Sequence, residues 1–388
     1  MSTQSGSSAI RIRTLRDGGQ TAEQVAEWVK EFLRGATRSL DIALYDLKLS
    51  GPTETTVLGA ITRAAAHGVR VRLVYNEDDH NPIPVPPPPR TDPTQLAAAG
   101  IPFRAIRGVP DLMHHKYVVK DGEALWTGST NWTDDSWTRE ENLVVTVHSP
   151  GVAEAFSRDF EELWTSSQVS GTGEFDPDPV PLSGTAWLDG QDLALGDGTI
   201  RPWFCPGRGR RLSHRISDAI SEARRRVRIC SPVVTSGPVL GTLAEIAAEG
   251  RVDMSGVCDA TQMQEVLDQW QADGHSPWKI PTLLTLVAEA PFSGKPSTPY
   301  RPDAVHDYMH AKVVVADDVV FLGSYNLSHS GEENAENVLE VASKPIADGL
   351  AAFIDHVRAA YPPLSVRDPR RSGSVTRSRL PTTSTAPG

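Results

Sequence analysis

The sequence predicts an α/β protein built from two duplicated lobes, each a mixed β-sheet flanked by helices, packed around one shared site. Three observations carry this expectation. Helical and strand periodicities alternate along the chain, a long block of pattern returns after the middle, and a His-x-Lys-x4-Asp signature stands once in each half.

The elements follow in order. The stretch AEQVAEWVKEFLRGA, residues 22–36, places Val25, Trp28, Val29, Phe32 and Leu33 at helical spacing, and RSLDIALYDLKL then alternates apolar and polar residues as a strand does. Next, TVLGAITRAAAHGVRVRLVYNEDD reads as a helix stopped at Gly68 and a buried strand ending in acidic turn residues, the pattern of a βαβ unit. A parallel or mixed sheet with helices outside is expected. The proline-rich run from Asn81 to Pro93 can form neither helix nor interior strand, because proline fixes φ and lacks the amide donor, so it reads as a stiff surface loop.

From Ser166 to Thr199 the composition turns to Gly, Pro, Asp and Ser, as in a connector. Beyond it RRVRICSPVV repeats the strand role of RSLDIALYDL. The stretch VLGTLAEIAAEGRVDMSGVCDA repeats VLGAITRAAAHGVRVRLVYNED, with Gly59 and Gly68 answering to Gly241 and Gly250. The expected units are a first repeat over 1–165, a linker over 166–199, a second repeat over 200–364, and a polar, basic, disordered tail over 365–388.

Composition narrows the function classes. The chain has 388 residues, 22% of them charged, with a formal net charge of -11, so no global basic field draws it to nucleic acid or an anionic membrane. Cys205, Cys230 and Cys258 lack metal-ligand spacing and read as buried small hydrophobes. Without an apolar leader or a membrane-length apolar run, a cytoplasmic protein is expected, with peripheral membrane contact left open.

Chemistry concentrates in the doubled motif. His114, Lys116 and Asp121 in the first half match His310, Lys312 and Asp317 in the second. The strand-forming runs between lysine and aspartate have a period of two, so each His and Lys leave the same face and both pairs can converge on one ligand. Gly128-Ser129-Thr130-Asn131 and Gly323-Ser324-Tyr325-Asn326 follow, then Glu141-Asn142 and Glu336-Asn337. Glu141 and Glu336 are expected to hold one nitrogen of each imidazole, fixing the tautomer and freeing the other. His115 falls on the opposite strand face and reads as structural or as a support behind the site residues. His148, His306 and His329 lie near the motif segments, but their spacing does not repeat, and Trp126, Trp132 and Trp137 read as packing.

In these motifs the sequence resembles the phospholipase D superfamily, over both repeats from about Ala36 to Tyr361. The resemblance implies two sheet-based halves whose HKD motifs meet at one active site, and a two-step phosphodiesterase reaction without metal or cofactor. One histidine attacks phosphorus to form a phosphohistidine, the other protonates the leaving alcohol, and water or another alcohol completes the turnover. The residue types fit that chemistry: Lys116 and Lys312 neutralise the phosphate, and Ser129, Asn131, Ser324 and Asn326 offer donors to the developing charge. The superfamily's usual assignment makes His114 the nucleophile and His310 the general acid, with the reverse left open by near symmetry. Asp121 and Asp317 are expected to brace the motif. A phospholipid substrate is favoured for hydrolysis or headgroup transfer. A nuclease acting on DNA or RNA and a catalytically silent phosphate-binding module are the alternatives. A duplicated chain needs no dimer to complete such a site.

Overall fold

The computed structural model describes residues 4–5, 9–77, 91–107, 111–169, 172, 179–181, 198–274, 276–298 and 306–370. Two mixed sheets dominate it. The first runs in the order Gln4–Ser5, Ile10–Leu15, Asn142–His148, Ala124–Gly128, Lys116–Lys120, Ser39–Leu44, Arg70–Glu77, Phe103–Arg107. The second repeats it as Val180–Pro181, Thr199–Cys205, Glu336–Ala342, Val319–Gly323, Val313–Ala316, Arg226–Cys230, Asp253–Asp259, Phe292–Lys295. In each, the last three strands pair in parallel and the rest antiparallel, so the βαβ unit read from the sequence supplies only one side of the sheet.

Strand alternation divides the core into layers. Tyr117 and Val119 enter a central apolar cluster, whereas Val118 and Trp126 enter an outer one with the helices Ala22–Leu33 and Gly51–Ala66. In the second lobe Val313 and Val315 face the same central cluster, and Val314 and Ala316 face an outer one with Gly209–Glu222 and Gly237–Glu249. Both faces of each sheet are therefore buried, which explains apolar runs such as VVVA that lack polar alternation.

Helices are not only outside. Between the sheets lie Pro150–Ser166 and Lys344–Ala360, each following the last long strand of its repeat. Ser149 starts the former by accepting the amide of Val152, with Pro150 fitted to the first turn. Its Phe156 and Phe160 are fully buried, each contributing about 2–3 kcal/mol of hydrophobic stabilisation. A Thr21–Gln24 capping box starts Ala22–Leu33, and Gly68 and Gly250, at φ +85 and +64, end the two equivalent outer helices where the sequence put the stops.

The expected boundaries need two corrections. Val180–Pro181 pairs with Thr199–Cys205, so the second sheet already begins inside the segment read as a linker over 166–199. The tail read as disordered from Ser365 is docked at its start: Val366 packs on the outer core of the second lobe, and the Arg367 amide donates to Gln264 Oε1 at 2.7 Å. A hydrogen bond from the backbone and a half-buried side chain outweigh the polar composition there. The rest of that tail, 371–388, lies outside the described residues, as do 81–90 of the proline run and 170–171, 173–178 and 182–197 of the linker. The three cysteines are free and buried, and Trp126, Trp132 and Trp137 are packed inside, as read.

Candidate active site

The two motif strands are anchored at their far ends by the aspartates. Asp121 and Asp317 sit at φ 57 and 50, where the hairpin turns. The Asp121 carboxylate accepts the amides of Thr37, Arg38 and Ser39, and Asp317 those of Arg224, Arg225 and Arg226. These contacts tie each motif strand to the start of the antiparallel strand beside it, and neither aspartate reaches the histidines.

At the other strand ends the lobes meet. The amide of His114 donates to the Ala335 carbonyl at 2.9 Å, and that of His310 to the Glu141 carbonyl at 3.2 Å, in two matching bridges across the lobe boundary. Each imidazole is held from the opposite lobe. His114 Nδ1 faces Glu336 at 2.8 and 3.0 Å, and His310 Nδ1 faces the Asn142 Oδ1 at 3.1 Å. Lys116 and Lys312 each donate to the carbonyl of their own motif histidine at 2.6 Å, and Lys116 also lies over the Tyr45 ring that packs edge-on against His114.

Glu141 is a correction. It was expected to hold an imidazole, but it points away into a buried pair with Lys295 at 2.9 Å and accepts the Tyr361 hydroxyl. Its sequence counterpart Glu336 is not its structural one. Gly128 lies opposite Val144 and Gly323 opposite Val338, so Asn142 occupies the place of Glu336 and Glu141 that of Ala335. The first repeat has one more residue between its short helix and this strand, and a one-residue slip turns a side chain to the other face. The carboxylate that does approach His310 belongs to Glu140, whose Oε2 is 3.3 Å from Nδ1.

The Gly-Ser-x-Asn segments also divide their tasks differently from expectation. Ser129 Oγ donates to Asn142 Oδ1 at 2.7 Å and accepts the Leu143 amide, while Ser324 Oγ accepts the amide of Asn337. Ser129 braces the asparagine that holds His310, and Ser324 braces the residue next to the Glu336 that holds His114, because each sits at a strand end beside the neighbouring strand. Asn131 and Asn326 each keep a buried amide oxygen without a hydrogen-bond partner among the described residues. The glycines serve close approach: a Cβ on Gly128 would lie 2.1 Å from the Leu143 carbonyl oxygen, at φ +144, and one on Gly323 would lie 2.2 Å from that of Asn337. Gly128→Ala is expected to destabilise the fold by about 3 kcal/mol or more, read as a lowered midpoint in urea.

Electrostatics follow from crowding four basic groups out of water. Burial, reinforced by the two lysines, pushes both His114 and His310 well below the ordinary histidine value. Burial also lowers Lys116 strongly and brings Lys312 down to about 7, while it pushes Glu336 and Glu140 up to about 7. An anion placed among these groups favours every cationic form. The Asn142 amide is fixed, since its Nδ2 donates to the Ser136 carbonyl and to Glu140, so its oxygen must accept from His310 Nδ1. The Nε2 atom of His310 is thereby left for chemistry, and an ionised Glu336 does the same for His114.

His115 is structural, as read: it is fully buried, with Nδ1 3.1 Å from Asn337 Nδ2 and Nε2 3.2 Å from Asp159. Sequence reasoning missed Glu140, Lys295 and the proximity of His306, whose Nδ1 is 4.0 Å from Glu140. Counting strand parity back from Val144 would have found Glu140.

Residues 29–164 and 216–358 both match a family described as cardiolipin synthase, PLD-like domain. Mitochondrial cardiolipin hydrolase of Xenopus laevis is 31% identical over 133 residues, 34% of this chain and 57% of that protein. The Chlamydomonas reinhardtii protein of that name is 28% identical over 134 residues, 34% and 55%. The chain thus spans a little over half the length of these curated relatives. Among solved structures, phosphatidylserine synthase of Haemophilus influenzae Rd KW20 superposes with a TM-score of 0.59 at 14% identity, covering 90% of this chain and 85% of that one. Polyphosphate kinase of Porphyromonas gingivalis gives 0.57 at 11%, covering 89% and 46%. At such identities these two are likenesses of fold alone.

Proposed function

The chain belongs to the phospholipase D superfamily, through the PLD-like domain matched in both lobes, and from that premise we propose that it is a phosphodiesterase acting on a phospholipid through a phosphohistidine. One observation carries the reading: two His–Lys pairs from separate lobes converge in a buried site, each imidazole oriented through Nδ1 by a side chain of the other lobe. That arrangement leaves two Nε2 atoms for one phosphorus, one to attack and one to protonate the leaving oxygen. Lys116, Lys312 and the side chains of Asn131 and Asn326 are the groups offered to the phosphate oxygens.

The two histidines are not equivalent. A carboxylate in direct contact makes an imidazole a better nucleophile and stabilises the positive charge it acquires on attack, which favours His114 with Glu336 as the attacking pair. His310 is held at 3.1 Å by an amide oxygen, with the Glu140 carboxylate beside it at 3.3 Å, an environment that can keep it protonated for the leaving-group side. Phospholipid is preferred as substrate because the family description and the named relatives concern cardiolipin. Among the described residues no helix is long and apolar enough to cross a membrane, so lipid would be met at a bilayer surface. A cytoplasmic location belongs to the same proposal.

The test is to incubate the protein in chelator with cardiolipin, phosphatidylcholine, single-stranded DNA, duplex DNA and RNA. Release of phosphatidic acid or a headgroup alcohol supports the reading. Cleavage of nucleic acid alone would replace it with a nuclease, and inertness towards every substrate with a binding module.

A pH dependence follows from the shifted groups. Lys312 is charged only below about 7, and Glu140 and Glu336 ionise above about 7, so raising the pH removes a cation and adds anions. Affinity for sulfate, whose charge is constant across this range, is expected to fall by about tenfold or more per unit between pH 7 and 9, with proton uptake on binding. Calorimetry in buffers of different ionisation enthalpy measures both, and a flat profile would contradict the assigned burial of charge.

A further inference from the structure

The lobes exchange an acid and an amide. In the second lobe Asn334 stands two residues before Glu336, and its Nδ2 is 3.4 Å from the Glu336 carboxylate that holds His114. In the first lobe the same two strand positions carry Glu140 and Asn142, joined by a hydrogen bond of 3.0 Å, and here the amide touches the imidazole while the acid stands beside it at 3.3 Å. Glu140 is only 3% exposed, and nothing in the doubled motif specifies it.

We propose that Glu140 is a positioning residue that stabilises the protonated form of His310, so that the exchanged acid and amide give the two histidines their different duties. The inference rests on the phosphodiesterase reading and extends it. In the first half-reaction the His114 Nε2–P bond forms as the P–O bond of the leaving alcohol breaks, and the proton on His310 Nε2 passes to that oxygen. In the second, the oxygen of water bonds phosphorus as the N–P bond breaks, and His310 Nε2 takes the water proton. His310 is therefore cationic at the start of each cycle. Its cation is opposed by burial and by Lys312 and Lys116, and Glu140 is the acid in contact with it. Also facing Glu140 are His306 at 4.0 Å, Lys312 and Lys295, with Lys116 and Tyr308 within electrostatic reach. An uncharged residue in its place would leave His310 among cations.

The experiment compares Glu140→Gln with Glu336→Gln on two phosphatidyl esters, one releasing choline and one releasing p-nitrophenol, whose low pKa removes the need for an acid. Glu140→Gln is expected to slow choline release by about 100-fold and p-nitrophenol release by less than about tenfold, and to move the basic limb of kcat/KM to lower pH by about one unit. Glu336→Gln is expected to slow both esters alike. Equal losses for Glu140→Gln on the two esters, or an unmoved basic limb, overturn the proposal while leaving the phosphodiesterase reading intact. A wild-type protein inert on both esters overturns that reading and the proposal with it. Should Glu140→Gln fail to fold, imidazole nitrogen resonances of the wild-type protein with sulfate bound decide: a charged His310 beside a neutral His114 is expected, and the reverse overturns the assignment.

Discussion

Replacing His114 by alanine is expected to lower phosphodiester cleavage by about 10⁴-fold or more, with no acid-labile phosphoenzyme trapped on rapid quenching. The magnitude follows from the role: without an Nε2 atom on that side of phosphorus, the covalent step has no substitute, and the remaining lysines and amides contribute only orientation and charge. His114 is 6% exposed and its ring packs against Tyr45, so the variant also leaves a small cavity, and circular dichroism with a melting curve should accompany the rate. A rate within tenfold of wild type would remove His114 from the mechanism. His310→Ala should differ in kind, losing most activity towards esters of poor leaving groups while still accumulating phosphoenzyme from activated ones.

Lys116→Met is expected to cost about 10³-fold in kcat/KM and yet not to lower Tm, with a rise of about 2–4 °C anticipated. The two effects have one cause. Lys116 is 1% exposed and its ammonium is strongly disfavoured by burial, so the side chain that neutralises a phosphate also burdens the folded protein when none is bound. Methionine fills similar volume without a charge to desolvate. The carbonyl of His114 loses its donor, a penalty of about 1 kcal/mol that is smaller than the desolvation it relieves. A variant that loses both activity and several degrees of Tm would mean that Lys116 serves packing first.

Much of the fold was legible because its signals are local. Val25, Val29 and Phe32 at helical spacing, the stops at Gly68 and Gly250, and the apolar run Val313–Ala316 each report their own element. The doubled His, Lys and Asp pattern was legible for a different reason, since two copies of a rare signature imply convergence before any packing is known. What stayed hidden depends on partners far away in the chain. The interior helix Pro150–Ser166 carries Val152, Phe156, Phe160 and Leu163 in a readable stripe, but its buried Asp159 interrupts it and makes sense only beside Tyr117 and His115. Glu141 misled because Glu-Asn stands equally far from the motif glycine in both copies. The extra residue that separates the two registers lies in a connection whose length affects no apolar pattern. Its true partner, Lys295, is on the edge strand of the other lobe and belongs to no motif.

Because each ring is steadied by the opposite sheet, neither half of the gene product can be tuned alone. A substitution on the first sheet at 142 alters the acidity of a group on the second, and one at 336 alters the reactivity of a group on the first. Duplication has therefore produced mutual dependence in place of a spare copy: drift in one half must be answered in the other, and the two sheets are bound to a common fate.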